Sequence, residues 1–256
     1  VTGVQTCALP ISERLLILGW NEKATTIVRE LDQYVAPGSE LVVLCEREGA
    51  REALMALSKS VRHLRIRHAE GDIDDRATLD KLGVCDYAHI ILLSYNHRPI
   101  QEADAQTLIA LLHLRNIAEA AGADLSIVSE MMDLRNRALA QVAKADDFIV
   151  SDKLVSLMLA QLSENRDLDR VFRVLFSAEG AEIYIRPVAD YVRTGVPLDF
   201  HTLLEAAAMR GETAIGYRIA ADAQDPARGY GVRVNPRKSD PITFTSADRI
   251  IVLAED

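Results

Sequence analysis

Arg14-Leu-Leu-Ile-Leu-Gly-Trp-Asn-Glu-Lys-Ala24 is the stretch that decides the fold. Leu15 to Leu18 is an unbroken apolar run closed by Gly19. Such a run reads as a parallel strand covered on both faces. A helix is expected from Asn21 to Tyr34, with Ile27, Val28 and Leu31 on one face and Pro37-Gly38 as its breaker. A strand, tight turn and helix in this order is where a dinucleotide-binding fold carries G-x-G-x-x-G. The three glycines serve the turn, the close approach of backbone to pyrophosphate, and helix–strand packing. Here Gly19 holds the first place and Ala24 the third, but the second is Asn21. Its side chain stands where phosphate oxygens approach. Glu22 adds negative charge at a helix N-terminus that otherwise attracts anions, and Lys23 offsets part of it. The loop therefore argues against a hydride-transferring NAD site.

Outward from this loop the same alternation repeats. Strands are expected at Glu40–Cys45, Leu64–Ala69, His89–Ser94, Leu125–Glu130 and Phe148–Val150. Helices are expected at Ala50–Lys59, Asp75–Leu82, Gln101–Ala121 and Asn136–Lys144, the third with Leu108, Leu111, Leu112 and Ile117 as its apolar stripe. This pattern predicts an α/β fold with a Rossmann-like, doubly wound parallel sheet over 13–150. Ser151 to Leu162 is apolar around much of its circumference, through Leu154, Val155, Leu157, Met158 and Leu159. A helix of that kind is covered on more than one side, and a partner subunit is the natural cover. Residues 151–166 are read as this crossover helix. A smaller α+β subdomain follows over 167–256, with helices at Leu168–Phe176 and Phe200–Met209 and strands at Glu182–Arg186, Thr213–Ile219, Gly231–Val234 and Arg249–Leu253.

Composition narrows the function. With 29 basic and 38 acidic residues the formal charge is −9, which argues against nucleic acid and against an anionic membrane surface as partners. No run reaches the roughly 18 apolar residues of a spanning helix. Three unpaired Cys exclude a disulfide framework, and Cys45 and Cys85 read as reduced core thiols. The six His do not cluster, no H-E-x-x-H occurs, and no Ser or Cys sits in a nucleophile elbow. Val1–Ser12 is uncharged and resembles the in-frame translation of a sequencing-library adapter, so the natural gene is expected to extend upstream.

The candidate site lies at the carboxyl edge of the sheet. Gly19, Trp20 and Asn21 form the first loop, with Trp20 read as a packing residue. Glu46 lies 22 residues beyond Ala24, where an acid can hydrogen-bond an adenosine ribose. The other reading of Glu46 is an exposed acid paired with Arg47 or Arg51. Asp72, with Asp74 and Asp75, offers hard oxygen ligands suited to Ca²⁺, though not in EF-hand spacing. A helix N-cap with solvated acids accounts for the same residues. Asp146-Asp147 reads as a surface turn that is also open to an ion contact.

Leu15–Trp20, Leu41–Arg47, the Gly71-Asp72 turn and Ile90–Ser94 resemble the regulator of K⁺ conductance (RCK) domain, the TrkA-N/TrkA-C type of module. More closely they resemble the cytosolic half of CASTOR/POLLUX-type ion channels and their bacterial relatives, where Leu-Gly-Trp-x-x-Lys replaces the glycine-rich loop. The resemblance runs on through Ala103–Leu108, Asp152–Gln161, Gly180–Arg186, Ala214–Tyr217, Val234–Pro236 and Ala247–Glu255, and so covers Arg14 to Asp256. It implies a gating ring at the cytoplasmic face of the membrane, on a tetrameric cation channel. It implies units that bind an ion or nucleotide and pull on the pore, and a crossover helix at Ser151–Leu162 that docks subunits. The pore region that precedes the domain in such channels is absent here. The pore then belongs to the same chain, cut off at the adapter, or to a separate protein served by a soluble Trk/Ktr-like subunit. The expected function is a non-enzymatic, ligand-sensing module of a cation channel or K⁺ uptake system. The rivals are an NAD(P)-dependent oxidoreductase and a purely structural assembly domain.

Overall fold

A computed structural model describes residues 12–136, 148–177, 180–223 and 225–255. The expected helix Asn136–Lys144 beyond Asn136 itself, the pair Asp146-Asp147 and nearly all of Val1–Ser12 lie outside the described residues. The chain divides into two compact units between Ser163 and Glu164, close to the boundary expected at residue 167.

The first unit is built on β1 (Arg14–Leu18), β2 (Ser39–Leu44), β3 (Leu64–Ala69), β4 (His89–Leu92), β5 (Ser126–Met131) and β6 (Phe148–Val150). These form one six-stranded parallel sheet in the order β3-β2-β1-β4-β5-β6. Leu16 stands opposite Val42 on one side and Ile90 on the other. Leu16, Ile17, Leu18, Val42, Val43 and Leu92 are fully buried, as a sheet covered on both faces requires. The helices are α1 (Ala24–Tyr34), α2 (Ala50–Leu57), α3 (Arg76–Leu82), α4 (Ile100–Ala121) and α5 (Ser151–Glu164). Of the α4 stripe, Leu111 is buried and Leu108 and Ile117 pack against the core as expected, whereas Leu112 is 52% exposed and needs correction; Ala103, Ala110, Leu114 and Ala118 are buried as well. Leu112 is one residue, about 100° of helix turn, away from Leu111, so its apolar character does not place it on the core face.

Asp32 ties α1 to the chain entering β3. Its carboxylate accepts from the backbone N–H of Arg62, His63 and Leu64 at 2.8, 2.8 and 2.9 Å. Burial opposes its charge, but the three N–H donors outweigh it and hold the carboxyl below its usual range. A depressed carboxyl contributes stability above its unfolded value of about 3.9, and that stability is lost as pH falls through the folded value. Asp32→Ala leaves three donors unmet and should cost about 3 kcal/mol. In melts between pH 6 and 3, Asp32→Asn should show a shallower acid fall than the wild type; parallel curves would refute this role.

The second unit holds α6 (Leu168–Leu175), β7 (Glu182–Pro187), β8 (Pro197–Leu198), α7 (Phe200–Ala208), β9 (Thr213–Arg218), β10 (Val232–Val234), β11 (Ile242–Thr243) and β12 (Arg249–Ala254). Its antiparallel sheet runs β10-β9-β12-β7, and β11 pairs with β8 in a short separate ladder. One face closes on α7 through Phe200, Leu203, Phe244, Ile250 and Val252. Among the described residues no helix is long and apolar enough to cross a membrane.

Candidate functional site

In an open parallel sheet, ligands bind beyond the carboxyl ends of the strands, where the strand order reverses. Here that point lies between β1 and β4. Gly19 makes the turn with φ 88°, and its N–H donates to Leu44 O at 2.9 Å. A Cβ at this position would collide with the Leu93 carbonyl oxygen, so only glycine fits. Trp20 is buried in the core cluster and is a packing residue, as expected.

Asn21 is buried too, and its side chain is fully used. Nδ2 donates to Ser94 O at 2.9 Å and to Glu130 Oε2 at 2.7 Å. Its Oδ1 accepts from the Lys23 N–H at 3.0 Å. The Lys23 ammonium does not offset Glu22; it meets Glu130 Oε1 at 2.6 Å. Thus one carboxylate from the end of β5 holds the whole first loop across the point of strand reversal. Sequence reasoning missed Glu130. Its only local signal is a charged residue near the end of β5, between Ser129 and Met131.

Glu46, one residue past Cys45 beyond β2, is exposed and enters no ion pair among the described residues. Arg47 turns away from it, donating to Asn96 Oδ1 at 3.3 Å. Tyr95 is buried among Cys45, Glu46 and Asp72. Burial, then the negative charge of those neighbours, pushes its hydroxyl well above the ordinary range. Arg98 lies over the Tyr95 ring at 5.3 Å. The Cys45 thiol is likewise raised by burial, as befits a core thiol.

Asp72 and Asp74 come together as a hydrogen-bonded acid pair. Gln106 of α4 donates Nε2 to Asp72 Oδ1 at 2.8 Å. Burial opposes charge on both acids. At Asp72 the hydrogen bonds from Asp74 and Gln106, with the charge of Arg98, prevail and hold it low. At Asp74 burial and the adjoining Asp72 act together and raise it. Gln106 Oε1 is buried and accepts no hydrogen bond. Asp75 is instead the N-cap of α3, accepting from Ala77 N and Thr78 N. No group of three or more His, Cys, Asp or Glu gathers for a metal among the described residues. The predicted residues thus fall into two groups. Glu46 and Asp72 share the surroundings of Tyr95, while Asn21 is committed to Ser94 and Glu130.

No protein-family model matches the chain. Over 277 residues it is 26% identical to the probable ion channel POLLUX of Arabidopsis thaliana, covering 94% of this chain. Over 244 residues it is 29% identical to the ion channel CASTOR of Lotus japonicus, covering 81% of this chain. Both of these similar proteins are ion channels by name. This chain spans 33% and 28% of the lengths of those two proteins. Among solved structures the human SLO3 gating ring aligns with 95% of this chain and 44% of its own, at a TM-score of 0.64 and 12% identity. That likeness establishes the RCK-type fold.

Proposed function

We propose that this chain is a ligand-sensing, non-catalytic regulatory module of a POLLUX/CASTOR-like cation channel, acting at the cytoplasmic face of the membrane. The observation that carries the reading is similarity to ion channels along 94% of the chain, over a segment with the gating-ring fold. The pore is assigned to the same protein, since the relatives extend well beyond the matched segment. The module works by population shift: a ligand with different affinities for two arrangements of the units supplies the gating energy.

The ligand we assign is a hard cation rather than a dinucleotide. Asp72, Asp74 and Gln106 Oε1 supply oxygen donors of the kind Ca²⁺ takes, with water completing the shell. Against a dinucleotide stands the first loop. Asn21 and the Lys23–Glu130 pair occupy the ground that pyrophosphate needs, which also speaks against the oxidoreductase reading. Self-association through α5 completes the proposal. Leu154, Val155, Leu157 and Leu159 are all exposed on the single chain.

Thermal shift tests the ligand. Millimolar Ca²⁺ should raise the melting temperature of the wild type and not that of Asp72→Asn, while NADH leaves both unchanged, by mass action. Stabilisation by NADH, or equal stabilisation of both proteins by Ca²⁺, would overturn the assignment.

A further inference from the structure

From Ala53 to Ala69 the sequence carries Lys59, Arg62, Arg65 and Arg67 and not one Asp or Glu, although the whole chain has a formal charge of −9. This basic tract forms the end of α2, the connection that carries Lys59 and Arg62, and all of β3. Among the described residues β3 is the outermost strand of the parallel sheet and pairs only with β2, so one flank of its backbone faces no other described strand. An edge strand presents unpaired N–H and C=O groups and is a template for a further strand.

The edge also has a groove beside it. Arg51 and Met55 of α2, Ile66, Arg67 and His68 of β3, and the acid Glu70 just beyond β3 are among the residues that line a space of about 390 Å³. Met55 is 56% exposed there. Arg67 reaches Glu40 at 3.4 Å, and the other basic residues of the tract enter no ion pair among the described residues. Charges on an edge strand can simply guard it against aggregation. Guarding accounts for Arg65 and Arg67. It leaves unexplained a groove floored by an exposed Met and lined by Arg51 from a different element.

We infer that β3 and α2 form a docking edge for an extended, acidic segment of a partner protein, added to the sheet as a further strand beside β3. Strand addition draws affinity from backbone hydrogen bonds and specificity from alternating side chains. β3 alternates in the same way: Arg65 and Arg67 lie on one face, Leu64 and Ile66 on the other. A matching segment alternates acid and apolar residues over the six positions of β3. Its acids meet Arg65 and Arg67, and its apolar residues meet Ile66 and Met55.

The test uses the full chain and a fluorescein-labelled Glu-Val-Glu-Val-Glu-Val peptide. Controls are the same peptide N-methylated at alternate amides, a Lys-Val repeat, and vesicles of phosphatidylserine or phosphatidylcholine. The acidic peptide should bind by anisotropy and slow hydrogen exchange at residues 64–69. N-methylation should weaken it about tenfold or more through lost backbone bonds. Arg65→Gln/Arg67→Gln should weaken it by about the same factor, with its melt checked against the wild type. If that variant unfolds, Met55→Glu serves in its place. Three results would overturn the inference: no protection at 64–69, equal binding of the N-methylated peptide, or binding of phosphatidylserine vesicles without binding of the peptide.

Discussion

Replacing Leu157 and Met158 with Asp should turn an oligomer into monomers. In the single chain α5 leaves Leu154, Val155, Leu157 and Leu159 between 49% and 62% exposed. These residues are contiguous on one helix and are not scattered surface apolars, and a patch of this kind marks an interface. Burying an unpaired carboxylate in such a contact costs several kcal/mol, and two in each subunit should weaken assembly about 1,000-fold or more. Light scattering should give a dimer or larger for the wild type and a monomer for the double variant. Circular dichroism should be unchanged, because these side chains cover no core of their own unit. A wild-type monomer at high concentration would contradict the assignment of α5.

Gly19→Ala should be the most damaging single methyl group in the first unit. The position combines φ 88° with a Leu93 carbonyl oxygen standing where the Cβ would go. That oxygen belongs to backbone leaving β4, so neither partner can step aside. Together the strain and the collision should cost about 3 kcal/mol or more, near 10 °C in melting temperature. Gly38 provides the control. Its φ is 90°, yet nothing lies within 4 Å of an added Cβ. Gly38→Ala should cost only about 1 kcal/mol, from backbone conformation alone. Equal melts for the two variants would show that the Leu93 contact is not what selects glycine.

The parallel sheet was legible because its central strands β1, β2 and β4 carry short apolar runs, and runs of that kind need no partner to be recognised. The two-residue β8 and β11 were not, since neither is long enough to show a period. Leu112 was misplaced because an apolar residue was read as a buried one. The candidate site was legible in position and not in wiring. Asn21 was read as an obstacle to phosphate, and in the structure its side chain bonds to Ser94 and Glu130. Its bond to Glu130 spans 109 residues of sequence, and no local pattern carries such a pairing. Gln106 was hidden for the same reason, as a polar residue in a helix whose partner, Asp72, belongs to another element. Loops at the carboxyl edge are positioned by the sheet, so their contacts become visible only once strand order is known.

Whether this chain senses a ligand on behalf of a cation pore is decided by exchanging the matching segment of Arabidopsis POLLUX for this chain and recording currents from excised membrane patches. Ca²⁺ applied to the side bearing the module should change the open probability, and Asp72→Asn with Asp74→Asn should abolish that response while leaving a basal current. A chimera whose current ignores Ca²⁺, or whose response survives the double substitution, would contradict the account.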